Sequence, residues 1–120
     1  MPYNNEVIYD VAELFKVFGD PTRTKILCAL FDREMSVTDL IEAVGMTQSA
    51  VSHQLRILRQ SRLVLVRRDG RSAFYSIGDN HIKRLFALAL EHALELQQAR
   101  NHGKPNLGVP PQTPQTFEKV

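Results

Sequence analysis

Residues 36–60 read SVTDLIEAVGMTQSAVSHQLRILRQ, and this stretch decides the fold. Ser36 is a capping residue with Asp39 three positions on, Leu40, Ile41 and Val44 share a helical face, and Gly45 stands where so short a helix ends. Thr47 caps a second helix almost at once, with Val51, Leu55 and Leu58 on its inner face and Gln48, Ser49, Ser52 and His53 left outside. Two short helices joined by the tight turn Gly45-Met46 make a helix-turn-helix, whose second member offers its N-terminal residues to the major groove of DNA.

Upstream, Val7, Val11, Leu14, Phe15 and Phe18 recur at helical spacing before Gly19, which predicts a first helix over about 6–18 with one apolar stripe. Asp20-Pro21 then supplies a cap and an N-terminal proline for a second helix, with Ile26, Leu27, Leu30 and Phe31 as its core side. Cys28 sits in the apolar run ILCAL and is expected to be a small buried core residue. As the single cysteine it allows neither a disulfide within one chain nor a thiolate cluster for a soft metal.

Downstream, LVLVRRDGRSAFYSI places two β-rich runs around Asp69-Gly70, a dipeptide favoured in tight hairpins, and tips the hairpin with Arg67, Arg68 and Arg71. A long helix over about 79–100 follows. The fold expected is mainly α with a small β-hairpin, a winged helix-turn-helix, as one domain over residues 1–100. Residues 101–120 hold four prolines, few apolar residues and no periodicity, and are expected to be a disordered tail.

Charge points to the same partner. The net charge is only +2, yet residues 47–72 carry Arg56, Arg59, Arg62, Arg67, Arg68 and Arg71 against Asp69 alone, whereas residues 1–46 carry four Lys/Arg against eight Asp/Glu. A local basic region on a near-neutral chain is the footprint of a nucleic-acid surface. Phosphate neutralisation is assigned to Arg56, Arg67, Arg68 and Arg71, and base reading to Gln48, Ser49, Ser52 and His53. No segment approaches the roughly 18 apolar residues of a membrane span and the N-terminus lacks a secretion pattern, so a soluble, cytoplasmic protein with no membrane partner is expected.

The last helix poses a separate question, because Asp79 and His81 open it and His92 and Glu95 lie three turns on. Eleven positions of about 100° bring His92 to nearly the same side as His81, but at 1.5 Å each they separate the two by about 16 Å. One metal cannot join them, since zinc holds its ligands at about 2 Å. The pairs meet only if a second copy of the helix lies antiparallel, placing Asp79 and His81 against the other copy's His92 and Glu95 and giving two equal sites per homodimer. The four, three, four, three spacing of His81, Leu85, Leu88, His92 and Glu95 fits such a seam, with Leu85, Phe86, Leu88 and Ala89 at the dimer interface. Without a metal the same residues are simply that seam with polar ends, in a winged-helix regulator answering another signal or none. Four protein ligands would fill a zinc tetrahedron and leave no open position for catalysis, so an enzyme is not expected.

These segments resemble the ArsR/SmtB family of winged-helix metal-sensing repressors from about Leu14 to Glu95, through FGDPTRTKIL, TQSAVSHQLRILR, RRDGRSAFYSI and the pattern D-x-H followed by H-x-x-E. In zinc-sensing relatives of the C-terminal-helix type that last pattern supplies intersubunit ligands, which the resemblance carries to Asp79, His81, His92 and Glu95. It implies a repressor whose apo dimer binds an inverted-repeat operator and releases it on binding zinc, freeing genes for metal efflux or sequestration. It also implies a link from the second nitrogen of His92 to the backbone near Arg62. Thiolate-using relatives carry a motif like E-L-C-V-C-D-L where this chain has Glu34-Met35-Ser36-Val37-Thr38-Asp39-Leu40, so soft-metal sensing there is not expected. Nickel- and cobalt-sensing relatives expand the C-terminal site, and His102 in the tail keeps Ni2+ or Co2+ as the alternative regulatory ligand to Zn2+.

Overall fold

The computed structural model describes residues 1–103. The chain divides into two compact units, Met1–Asp79 and the part from Asn80 onward. In the first unit the order is α1 (Asn5–Phe18), α2 (Pro21–Leu30), β1 (Met35–Ser36), α3 (Val37–Val44), α4 (Gln48–Gln60), β2 (Val64–Asp69) and β3 (Ser72–Ile77). The second is α5 (Asn80–Gly103), which extends three residues past the expected end of the folded domain; residues 104–120 and the side chain of His102 lie outside the described residues.

Each short helix starts where its capping chemistry dictates. Asn4, Asp20, Ser36 and Thr47 accept from the backbone N–H of Val7, Arg23, Asp39 and Ala50 respectively. Such caps satisfy N–H groups that a helix leaves without an internal partner. Between α3 and α4, Gly45 adopts a left-handed φ of 71° and its N–H reaches the carbonyl of Ile41, 2.9 Å away. Only glycine takes that conformation freely, and it lets α4 begin three residues later.

The core of the first unit is made of Ile26, Leu27 and Leu30 from α2, Leu40 and Val44 from α3, and Val51, Leu55 and Leu58 from α4, closed by Met35, Leu63 and Val64. These are the inner faces expected, except that Phe31 and Ile41 are half-buried. The stripe on α1 behaves differently. Only Val17 is buried, while Val7, Val11 and Phe15 are 42%, 48% and 56% exposed, so periodicity located an apolar face that a single chain does not cover.

The sheet is three-stranded and antiparallel in the order β1-β3-β2, and its two-residue β1 was not anticipated. Met35 pairs with Tyr75 and Ser36 with Phe74, so the chain entering α3 is stitched to the wing. The hairpin turn is shifted by one residue from expectation. Asp69 pairs with Ser72, leaving Gly70-Arg71 as the loop, and of these Gly70 alone has positive φ, the pattern of a type II′ turn.

The end of α4 is fixed by a compact turn. The N–H of Arg62 reaches the carbonyl of Arg59 at 3.0 Å and that of Leu63 reaches the carbonyl of Leu58 at 2.8 Å, a Schellman pair in which Arg62 holds the left-handed position at φ 62°. Gly78 closes over it from the end of β3, its N–H donating to the carbonyl of Leu63 at 2.8 Å. A Cβ at residue 78 would lie 2.6 Å from the Arg62 carbonyl oxygen, and that backbone cannot yield easily. Gly78→Ala is therefore expected to lower stability by about 1–3 kcal/mol, read from urea unfolding at fixed protein concentration; an unchanged midpoint would show that the strand end relaxes freely.

Candidate nucleic-acid interface and metal-ligand pairs

Burial of Val51, Leu55 and Leu58 turns the opposite face of α4 to solvent. Gln48, Ser49, Ser52, His53 and Arg56 are all exposed there. Thr47 and Ser49 hydroxyls lie 3.4 Å apart at the first turn, which leaves short polar groups beside the helix N-terminus. This arrangement can present hydrogen-bonding groups to base edges, as a recognition helix does.

α4 is also tied to the helices behind it through a residue whose role sequence reading missed. The Arg23 Nε donates to the carbonyl of Val17 at 2.9 Å and its Nη1 to Gln54 Oε1 at 3.2 Å. One planar guanidinium thus joins the end of α1 to the middle of α4, and no periodicity signals such a bond.

On the wing the three arginines separate. Residues paired across antiparallel strands share a sheet face, and neighbours along a strand alternate. Arg67 pairs with Phe74 and Arg68 with Ala73, so the two adjacent arginines point to opposite faces, while Arg71 is exposed in the turn. Arg67 is engaged within the protein: its Nη2 and Nε donate to Glu34 Oε1 and Oε2 at 2.6 and 3.3 Å, and its guanidinium lies 4.8 Å from the Phe74 ring centre. Asp69 adds a longer contact at 3.8 Å. The hydrogen bond from Arg67 holds the Glu34 carboxyl below its ordinary range, and the same pair pushes Arg67 up.

Cys28 is exposed, which corrects the buried-core expectation: α2 turns Ile26, Leu27 and Leu30 inward and leaves position 28 outside. Partial shielding of its sulfur pushes the thiol up from its ordinary value, away from reactivity. Ser36, at one of the positions where thiolate-using relatives have cysteine, is occupied as the α3 cap at 3.1 Å from the Asp39 nitrogen.

Asp79 is the residue before α5, and His81, His92 and Glu95 follow on this one unbroken helix with exposed side chains. At 1.5 Å per residue the two histidines are about 16 Å apart along it. Among the described residues no three metal-capable side chains of a single chain gather at one place. Of the seam positions Leu88 and Ala89 are exposed, Leu85 is half-buried and Phe86 is buried. The donor set, two imidazoles and two carboxylates with no sulfur, suits zinc if two chains supply it.

A helix-turn-helix with an exposed polar reading face, followed by a basic hairpin, defines a winged-helix DNA-binding protein. Comparison with known proteins narrows this. Residues 20–65 match the family model described as bacterial regulatory protein, arsR family. A transcriptional repressor SmtB homolog from Synechocystis is 46% identical over 85 residues, 71% of this chain and 64% of the relative, so the chain spans just under two thirds of that protein's length. The HTH-type transcriptional regulator NmtR of Mycobacterium tuberculosis is 40% identical over 107 residues, 89% of each chain. The homodimeric winged helix-turn-helix domain of Mb0332 from Mycobacterium bovis superposes with a TM-score of 0.73 at 30% identity, covering 79% of this chain and 88% of that one. The chain belongs to the ArsR/SmtB family of winged-helix transcriptional regulators. No helix among the described residues is long and apolar enough to cross a membrane.

The wing anchor has a definite pH dependence. A carboxylate whose folded pKa is depressed contributes above its unfolded pKa and loses that contribution as pH falls through the folded value. The Glu34 carboxyl is thus expected to titrate below the ordinary glutamate range and to return to it in Arg67→Gln, as followed by carbon NMR; identical titrations in the two proteins would mean that the pair does not persist in solution.

Proposed function

We propose that this protein is a zinc-responsive repressor, whose apo homodimer binds an inverted-repeat operator and lets it go when the metal is bound between subunits. The observation that carries the DNA-binding part is the outward face of α4, where Gln48, Ser49, Ser52 and His53 stand exposed on a helix fixed from behind by a fully apolar face. These residues read bases, and the arginines of α4 together with Arg68 and Arg71 of the wing neutralise phosphates.

A second copy of the chain is the partner that the apolar surfaces ask for. α1 leaves Val7, Val11 and Phe15 exposed, and α5 leaves Leu88, Leu94 and Leu96 exposed. Apolar side chains left exposed together along a helix are the material of an interaction site. The homodimeric state of the Mb0332 domain supports the same reading.

In the dimer Asp79 and His81 would hold zinc together with the partner subunit's His92 and the partner subunit's Glu95. Zinc held there would supply a crosslink between the subunits and no reaction chemistry. The ligand residues do the regulatory work: drawing the start of one α5 towards the later turns of the other favours a dimer form whose two recognition helices no longer meet successive major grooves. His92 adds a second role through its non-ligating nitrogen, which the family resemblance links to the backbone near Arg62. Relief of repression would then free genes for metal efflux or sequestration.

A fluorescence-anisotropy titration of an imperfect inverted repeat from upstream of the protein's own gene tests this at fixed salt. Zinc is expected to weaken wild-type binding on the order of tenfold or more, the range typical of allosteric coupling. Asp79→Ala/His81→Ala should bind DNA normally without zinc and ignore the metal, and His92→Asn should bind zinc more weakly while losing the response. A wild type that binds the operator equally well with and without zinc would overturn the zinc reading and send the search to nickel, cobalt or a non-metal signal, the last of which would leave the four residues a dimer seam.

A further inference from the structure

Between α4 and β3 lies an open cleft of about 460 Å³, lined by Ser52, Leu55, Arg56, Arg59, Gln60 and Tyr75. Arg56 and Arg59 are three positions apart and so project from the same side of α4, about 4.5 Å apart along its axis. Among the described residues no carboxylate lines the cleft. Among the described residues Arg56, Arg59 and Arg68 have no ion-pair partner, in contrast to Arg67, which has Glu34 and Asp69.

The strand register sorts the wing relative to this cleft. Tyr75 pairs with Val66 on one side and Met35 on the other, and Met35 is buried, so Tyr75 stands on the core-facing side of the sheet. Arg68, two positions beyond Val66 towards the turn, shares that side. Arg67 pairs with Phe74 on the other side and is spoken for by Glu34. A row of free cations, with a tyrosine among them, therefore runs from the outer flank of α4 towards the wing tip on one face only.

We propose that this cleft seats one stretch of operator sugar–phosphate backbone, gripped by Arg56, Arg59 and Tyr75, and that Arg67 is a positioning residue which fixes the wing and contacts no phosphate. The inference rests on the DNA-binding reading and deepens it. Three features select a DNA backbone. The cleft is open, so a polymer passes through it; no carboxylate among the described residues offsets its charge; and Ser52 belongs both to its wall and to the reading face, so bases and backbone are met on one continuous surface. The Tyr75 hydroxyl donates to a phosphate oxygen, a contact that adds affinity without adding charge.

Salt dependence separates these roles. Anisotropy titrations of the full-length apo protein on the inverted-repeat duplex, repeated over a range of salt concentrations, give the slope of log K against log salt, which falls by about 0.9 for each phosphate no longer neutralised. Arg59→Gln is expected to reduce the slope by nearly two in a dimer, once per half-site. Tyr75→Phe should weaken dimer binding about 25-fold at every salt concentration with the slope unchanged, the loss typical of one hydrogen bond in each half-site. Arg67→Gln should leave the slope as in wild type. An Arg59→Gln slope equal to wild type, Tyr75→Phe binding at wild-type strength, or a reduced slope in Arg67→Gln would each overturn the proposal. So would a cleft that binds inorganic pyrophosphate through Arg59 while the DNA slope stays unchanged, which would make it a small-anion site. A wild type that binds no duplex at all would overturn the DNA-binding reading itself and the cleft with it.

Discussion

Everything outward in this protein depends on one inward constraint, the burial of Val51, Leu55 and Leu58 along a single face of α4. They are buried in one core with Ile26, Leu27, Leu30 and Leu40 of the helices that α4 packs against, and rotating α4 would expose them at a cost of about 1.5–3 kcal/mol each. The rotation of α4 is thus set by the core, and the direction of Ser49, Ser52, His53 and Arg56 follows from it. Both ends of the helix are fixed as well, by the Thr47 cap at the start and at the finish by the Arg62-Leu63 turn under Gly78. A reading surface needs this rigidity, because hydrogen bonds to base edges discriminate only when their donors and acceptors arrive already placed.

Electrostatics on this framework are decided by position more than by sum. A net charge of +2 says little, and six arginines between residues 47 and 72 say where to look, yet even there the arginines are not equivalent. Strand alternation puts Arg67 and Arg68 on opposite faces, and a bidentate carboxylate with an aromatic ring beneath it occupies the first. An exposed ion pair of this kind is a weak source of stability. Its geometry is specific all the same, since Glu34 lies just before β1, the strand that joins the wing to the entry of α3. The pair and the β1–β3 ladder together hold the hairpin against the helix-turn-helix it flanks.

Local chemistry makes the helices and the hairpin legible in sequence, because caps, the glycine stop at residue 45 and period-3.6 burial act within a few residues. What escapes is non-local or too short to carry a pattern. The two-residue β1 exists only because β3 offers Phe74 and Tyr75 to pair with. The bond from Arg23 to Gln54 spans 31 positions, and the cleft depends on where β3 falls beside α4. Cys28 departs from expectation because an apolar run reads as uniformly buried, whereas a helix turns every such run partly outward. The apolar stripe of α1 is a stripe, as its spacing indicates, and its exposure is information that periodicity lacks, since the same pattern serves a core and a subunit interface alike. Asp79, His81, His92 and Glu95 are legible as spacing alone: on a continuous helix that spacing excludes a single site built from all four within one chain.

That exclusion also bears on regulation. A metal site completed within one subunit could report metal without altering how two subunits meet. The proposed site, whose halves stand about 16 Å apart on the same helix, would close only by engaging a second chain, so its occupancy would be by construction a statement about dimer geometry. DNA binding by a twofold repressor is likewise a statement about dimer geometry, because the two recognition helices must lie one helical turn of DNA apart. Two ligands that each select a spacing of the same pair of subunits are coupled without any dedicated path of residues between them, and the coupling is reciprocal: whatever factor the metal takes from DNA affinity, DNA takes from metal affinity. Contacts such as Gly78 on the Arg62 carbonyl would then matter through their stiffness, since a soft joint at the end of α4 would let the reading face adapt to either spacing and dissipate the difference in free energy on which the proposed response would depend.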